Sequence, residues 1–192
     1  MQSGLLSSDH IKPLATRRVL AVDGHDGAGK STLARRLANG LRAEYARPFG
    51  GPAGADFLRA AEGNNPECAM AIARAAIAAT LARLPQADVI VFDRCWMTVF
   101  SAIPDDYFSV WGHRIPTILC WTDLNTTIDR LGTRAEKPEA AERHRHYLAR
   151  YAYLARHFDC PVIRTDMSDE DIALDIALAW AREALQKEDS LI

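Results

Sequence analysis

The sequence predicts an α/β fold in which a parallel sheet is covered by helices, and three observations carry that expectation. Five short apolar runs recur along the 192 residues: RVLAVD (18–23), AEYA (43–46), DVIVFD (88–93), TILCWT (117–122) and PVIRT (161–165). Segments of helical period separate them, which is the alternation expected when parallel strands are joined by helical crossovers. The first run leads straight into a glycine-rich turn and then into an amphipathic stretch.

The first helix is expected over Lys30 to Leu41, where Leu33, Leu37 and Leu41 fall four apart with Ala34 and Ala38 beside them. A second, Pro66 to Leu84, carries Met70, Ile72, Ala73, Ala76, Ile77 and Leu81 on its apolar positions. A third runs from Glu139 to Phe158 on the repeat Tyr147, Tyr151, Leu154, Phe158. The last, Ser168 to Leu185, opens with Ser168 as N-cap and acids where the helix dipole favours them. RPFGGPAG (47–54), with its prolines and glycines, reads as a shaped loop beside a ligand. One domain is expected over 18–192, behind a flexible leader at 1–17.

Composition narrows the function classes. With 48% hydrophobic residues the chain can build a core without staples, and a formal net charge of −2 leaves no basic excess to attract nucleic acid or a membrane surface. Cys68, Cys95, Cys120 and Cys160 form no CxxC pair, so buried free thiols in a reducing cytoplasm are expected rather than zinc or disulfides. No stretch approaches the roughly 18 apolar residues of a membrane span, and the N-terminus lacks a signal-peptide run.

Gly24-His25-Asp26-Gly27-Ala28-Gly29-Lys30-Ser31-Thr32 matches GxxxxGK[ST] without a mismatch, between an apolar strand and an amphipathic helix. In this P-loop, glycines let successive backbone N–H groups surround a β-phosphate, Lys30 reaches the β and γ oxygens, and the Ser31 hydroxyl ligates Mg²⁺. His25 sits at a variable position and reads as a spectator. A nucleoside triphosphate is the implied ligand, within a three-layer α/β/α sandwich. No NKxD-type guanine reader is present and the chain is short for a motor or transporter ATPase, which leaves a small phosphotransferase.

Several segments together resemble the thymidylate kinases, over about residues 18 to 186. DGHDGAGKST resembles their phosphate loop, including a carboxylate at Asp26. RPFGGPAGADFLR (47–59) resembles their REPGGTP loop with its following Leu-Arg pair, and AMAIARAA (69–76) the helix ending in an acceptor-contacting arginine. FDR (92–94) resembles their DR motif, and DLNTTIDRLGTR (123–134) the approach to the lid.

The resemblance implies a five-stranded parallel sheet of order 2-3-1-4-5, a homodimer, and transfer of a phosphoryl group from ATP to a deoxynucleoside monophosphate, dTMP being the first candidate. Asp26 would bind the acceptor sugar hydroxyl, and Arg47 and Arg74 its phosphate and base. Asp93 and Arg94 would serve the metal shell and the transferring phosphate. The residues agree for Asp93, an acid at the carboxyl end of an apolar strand beside the P-loop, and for Arg94, a bidentate donor next to it.

The base pocket departs from the family. Met70 stands where an aromatic residue would stack on thymine, Ala76 where a polar reader is expected, and Cys95-Trp96-Met97 follow the DR pair. Phe49, Trp96 or Trp111 could supply another stacking surface. The lid, near 132–146, must supply the transition-state cation because the P-loop carries Gly27 and no arginine. Arg130, Arg134, Lys137, Arg143 and Arg145 are candidates and Arg134 is favoured, although Glu136, Glu139 and Glu142 alternate with them as on a solvated helix face. His144 and His146 are expected on an exposed helix face.

The second strand ends Tyr45-Ala46-Arg47, and an arginine there suits an anionic acceptor, which needs neutralising rather than deprotonating. Asp26 could instead be the base for a hydroxyl on a nucleoside, a modified base or another small alcohol. A non-catalytic nucleotide-binding module is the third reading, against which the intact Lys30, Ser31, Asp93 and Arg94 argue.

Overall fold

The computed structural model describes residues 18–112, 114–133 and 140–189. The expected leader (1–17), Arg134 and Lys137 lie outside the described residues, as do most of the residues joining the two helices of the lid region.

Strands β1 (Arg18–Asp23), β2 (Glu44–Ala46), β3 (Val89–Asp93), β4 (Thr117–Trp121) and β5 (Val162–Arg164) form one parallel sheet of order β2-β3-β1-β4-β5. This is the expected order. Strand alternation divides the apolar side chains between two faces: Val19 and Ala21 of β1 point to one core, Leu20 and Val22 to the other. Helices α1 (Lys30–Leu41) and α7 (Glu170–Asp189) close the second face through Leu33, Leu37, Ala173 and Ala177. On the first face lie α2 (Pro52–Glu62), α3 (Pro66–Ala82), α4 (Trp96–Ala102) and α6 (Ala141–His157), packed through Phe57, Met70, Trp96, Phe100 and Leu154. Helix α5 (Leu124–Gly132) follows β4, its first turn capped by the Asp123 carboxylate, which accepts from the Thr126 N–H at 2.7 Å. A short 3-10 helix spans Asp105–Val110.

Three helices differ from the sequence reading. The 47–54 stretch is a loop only to Gly51; Pro52 takes the first helical position of α2, where its missing N–H costs nothing. Gly54 permits the turn: a Cβ there would stand 2.2 Å from the Phe49 carbonyl oxygen. Helix α4 is buried from Trp96 to Ser101 on every side, so it carries no polar face and no readable period. At α7 the helix begins at Glu170, and the Asp169 carboxylate, rather than Ser168, accepts from the Asp171 N–H at 2.8 Å. Cys95 and Cys120 are buried free thiols as expected, whereas Cys68 is exposed.

Candidate active site

The P-loop lies at the carboxyl end of the sheet. Gly24, at φ 148°, brings its backbone so close to β4 that a Cβ would stand 2.3 Å from the Cys120 carbonyl oxygen. Lys30 is buried, and its Nζ donates to the His25 carbonyl and to Asp26 Oδ1, both at 3.1 Å. Burial lowers its pKa, against the pull of Asp26.

The loop's outer side is held from outside. Thr165 Oγ1 donates to the Ala28 carbonyl at 2.9 Å, and Arg130 Nη1 donates to the Gly27 carbonyl at 3.1 Å. Arg130 also reaches Thr165 Oγ1 at 3.1 Å and the Thr165 carbonyl at 2.8 Å. A trans peptide sets its N–H opposite its C=O, so with the Ala28 carbonyl drawn outward the Gly29 N–H faces the cradle. Ser31 lies in the first turn of α1, and Thr32 lines the pocket beside it.

Three carboxylates converge below and beside the loop. Asp23, fully buried, accepts from the Gly24, Cys95 and Thr98 N–H groups and from the Thr98 hydroxyl at 2.6 to 3.1 Å, tying β1 to the start of α4. Burial raises its pKa against these donors. Asp93 accepts from the Tyr45 hydroxyl at 2.8 Å and pairs with Arg47 Nε at 3.2 Å, both through Oδ2. Its Oδ1 is buried with no hydrogen-bond partner among the described residues. Asp26 receives Lys30 and Arg94. Burial alone would raise the Asp26 carboxyl, but those two cations override it and hold it well below the usual carboxylate range. Arg94 itself adopts φ 78° and donates its N–H to the Val22 carbonyl at 3.0 Å.

Two pockets open on either side of the loop. One, of about 540 Å³, lies between the P-loop, α5 and the β5–α7 connection, lined by Gly29, Thr32, Arg36, Arg130, Thr165 and Ser168 among others. The second, of about 370 Å³, has Arg47, Arg94 and Asp26 at one end, Phe49 and Phe57 on the α2 side, and Tyr147 and Arg143 on the α6 side. Phe49 and Phe57 stack with centroids 5.6 Å apart. Three arginines against one carboxylate make this second pocket cationic among its described lining residues.

The structure brings together Lys30, Asp26, Arg94, Asp93, Arg47 and Phe49, and it parts from the sequence reading at several residues. Met70 is a core side chain, 5% exposed, packed with Phe57 and Trp96 in one apolar cluster and absent from the second pocket's lining. Arg74 is exposed and turned to the Val110 carbonyl and the Trp111 ring, because its position on α3 points along the 3-10 helix and away from the pocket. Trp96 is core, donating to the Ile115 carbonyl at 3.0 Å. His144 is not on an exposed face: it is 4% exposed and bonded to His25, whereas His146 is exposed. Of the lid cations, Arg130 is committed to the outer clamp, Arg143 lines the second pocket, and Arg145 is an exposed partner of Glu142. The sequence reading missed Thr165, Tyr147 and Asp23. Only Asp23 left a signal, as an acid inside an apolar strand.

For a divalent cation, the free Oδ1 of Asp93 and the Ser31 hydroxyl are the fitting donors. Among the described residues no group of three or more His, Cys, Asp or Glu side chains could cage a metal. Such an ion would share its oxygen ligands with phosphates and water, as Mg²⁺ does.

No protein-family model and no curated protein matches the sequence. Solved structures do match in fold, among them the deoxyadenosine kinase of M. mycoides. With the products dCMP and a flexible dCDP bound, its TM-score is 0.58 at 16% identity, covering 86% of this chain and 98% of that one. The dATP-bound form gives 0.59 at 16% identity over 84% and 97%, and the dCTP-bound form 0.56 at 15% over 86% and 99%. The fold is therefore the α/β fold of those structures, a five-stranded parallel sheet of order 2-3-1-4-5 between helices, matched along nearly the whole of those chains.

Proposed function

We propose that the protein is an ATP- and Mg²⁺-dependent phosphotransferase of the thymidylate kinase type, moving the γ-phosphoryl group of ATP to a (deoxy)nucleoside monophosphate, with dTMP the first candidate. The observation that carries this reading is the pairing of an intact phosphate cradle with a second, cationic pocket that opens on the same arginine, Arg94. The 540 Å³ pocket suits the donor nucleoside, and the 370 Å³ pocket the acceptor, a flat ring between the Phe49 and Tyr147 sides with its phosphate at Arg47 and Arg94.

In this scheme Lys30 and the inward Gly29 N–H bind the donor phosphates, and an incoming acceptor phosphate competes with Asp26 for Arg94. Mg²⁺ held by Asp93 and Ser31 would neutralise charge on the β and γ oxygens. Arg134 is the cation proposed to meet the transferring group. Positioning and electrostatics supply the rate enhancement, with closure of the lid excluding water.

A nucleoside acceptor is the second reading, supported by the similar structures being those of a deoxyadenosine kinase. It requires a base, and Asp26 is the one carboxylate among the described residues lining the acceptor pocket. Held low by Lys30 and Arg94, Asp26 is a weak proton acceptor, and that favours the monophosphate. Product analysis by phosphorus NMR, with ATP and Mg²⁺ against matched monophosphates and nucleosides, decides between them. Diphosphate products support the first reading, and monophosphate products from nucleosides overturn it in favour of the second. The homodimer implied by the thymidylate kinase resemblance is tested by sedimentation.

A further inference from the structure

His25 and His144 play no part in the scheme above, yet both are buried, and His25 Nε2 lies 2.9 Å from His144 Nδ1. Two imidazole nitrogens at that distance share one proton, one ring donating and the other accepting. The bond joins the phosphate loop to the first turn of α6. Its surroundings make it part of a wall: the His25 ring lies 5.5 Å from the Tyr147 ring and within 10° of parallel. The Arg143 guanidinium is 5.4 Å from the Tyr147 ring centre and reaches Glu62 of α2 at 2.8 Å. His25, Arg143 and Tyr147 all line the pocket assigned to the acceptor.

We propose that His25 and His144 are positioning residues that lock the α6 wall of the acceptor pocket, Tyr147 and Arg143, to the phosphate loop, so that acceptor and donor sites keep a common register. This rests on the acceptor assignment made above. In-line transfer needs reacting atoms held at about 3 to 3.5 Å, and a helix free to slide on the loop would carry Arg143 and Tyr147 out of place. Asp26, Lys30 and Arg94 act on His25 from the loop and β3 side.

The test compares wild-type protein with His144→Leu, which removes the bond, and His144→Asn, whose amide sits where Nδ1 was. Amide hydrogen exchange across 141–148 is read alongside KM for ATP and for the monophosphate that the wild-type protein turns over fastest. The expected result for His144→Leu is faster exchange across 141–148, an acceptor KM raised about tenfold and an unchanged KM for ATP, with His144→Asn restoring most of both effects. Should His144→Leu fail to fold, His144→Gln, which leaves the Nδ1 position empty, serves as the unpaired variant. Unchanged exchange, or equal rises in both KM values, in a protein whose wild type turns over overturns the inference alone. A wild-type protein with no turnover on any monophosphate overturns the acceptor assignment and the inference with it.

Discussion

At Arg94 the backbone does what side chains rarely accept, a φ of 78° at the end of β3, and the guanidinium it aims is the one that meets Asp26. A residue held in the left-handed region costs about 1 kcal/mol or more relative to glycine, a cost that persists at sites where the side chain has a task. Comparing Arg94→Gly with Arg94→Ala isolates that term, since both lose the guanidinium. The glycine variant is expected to be more stable by about 1 kcal/mol in urea denaturation, with both variants inactive. His25 gives a second residue-level expectation. Burial, aided by Lys30, Arg94 and His144 and opposed by Asp26, lowers its pKa from 6.5 to about 4. A histidine whose folded pKa is depressed contributes stability that is fully present above 6.5 and is lost as pH falls through 4. Between pH 7 and pH 5 the wild-type protein should therefore lose about 2 kcal/mol more stability than His25→Gln, measured by urea denaturation at the two pH values. The cradle residues were legible because the P-loop is a contiguous pattern whose spacing is its mechanism. Met70 and Arg74 were not placed correctly, because which way a helix turns its side chains is decided by what packs against it, here Phe57, Trp96 and the 3-10 helix.

Between elements, the notable link is the clamp that α5 and the β5–α7 connection close on the P-loop. Arg130 and Thr165 take the Gly27 and Ala28 carbonyls outward; the Ala28 N–H donates to the His25 carbonyl at 3.2 Å, and the Gly29 N–H, opposite the Ala28 carbonyl, is what a phosphate would find. Thr165→Val keeps the volume and removes both hydroxyl bonds. ATP affinity, measured by calorimetry, is expected to fall about tenfold, and Thr165→Ser to retain it; wild-type affinity in Thr165→Val would refute the clamp. No sequence pattern announces such a pair, since 35 positions separate the two residues and only the β4–β5 pairing brings them together. Helices α1, α3, α6 and α7 were legible from their periodicity. Helix α2 was hidden by its loop-like composition, and α4 by burial on all sides, which leaves no polar face to mark a period.

For the whole molecule, five apolar runs and helical crossovers made a parallel sheet legible, while its order was implied only by the thymidylate kinase resemblance; that order puts Asp23, Asp93, Arg94 and the P-loop at the carboxyl edge of β1 and β3. The fold places the cradle, and the pockets on its two sides are the ones proposed for a donor and an acceptor. The second pocket was only partly legible, because it draws its walls from α2, α4 and α6 together. The measurement that tests the central claim most directly is ADP release and phosphorylated product from ATP, Mg²⁺ and a panel of nucleoside monophosphates, for wild-type protein and for Lys30→Ala. The account predicts turnover by the wild-type protein and a loss of about a thousandfold in Lys30→Ala at unchanged fold, checked by circular dichroism. Full activity in Lys30→Ala, or a wild-type protein that releases no ADP with any acceptor, would contradict it.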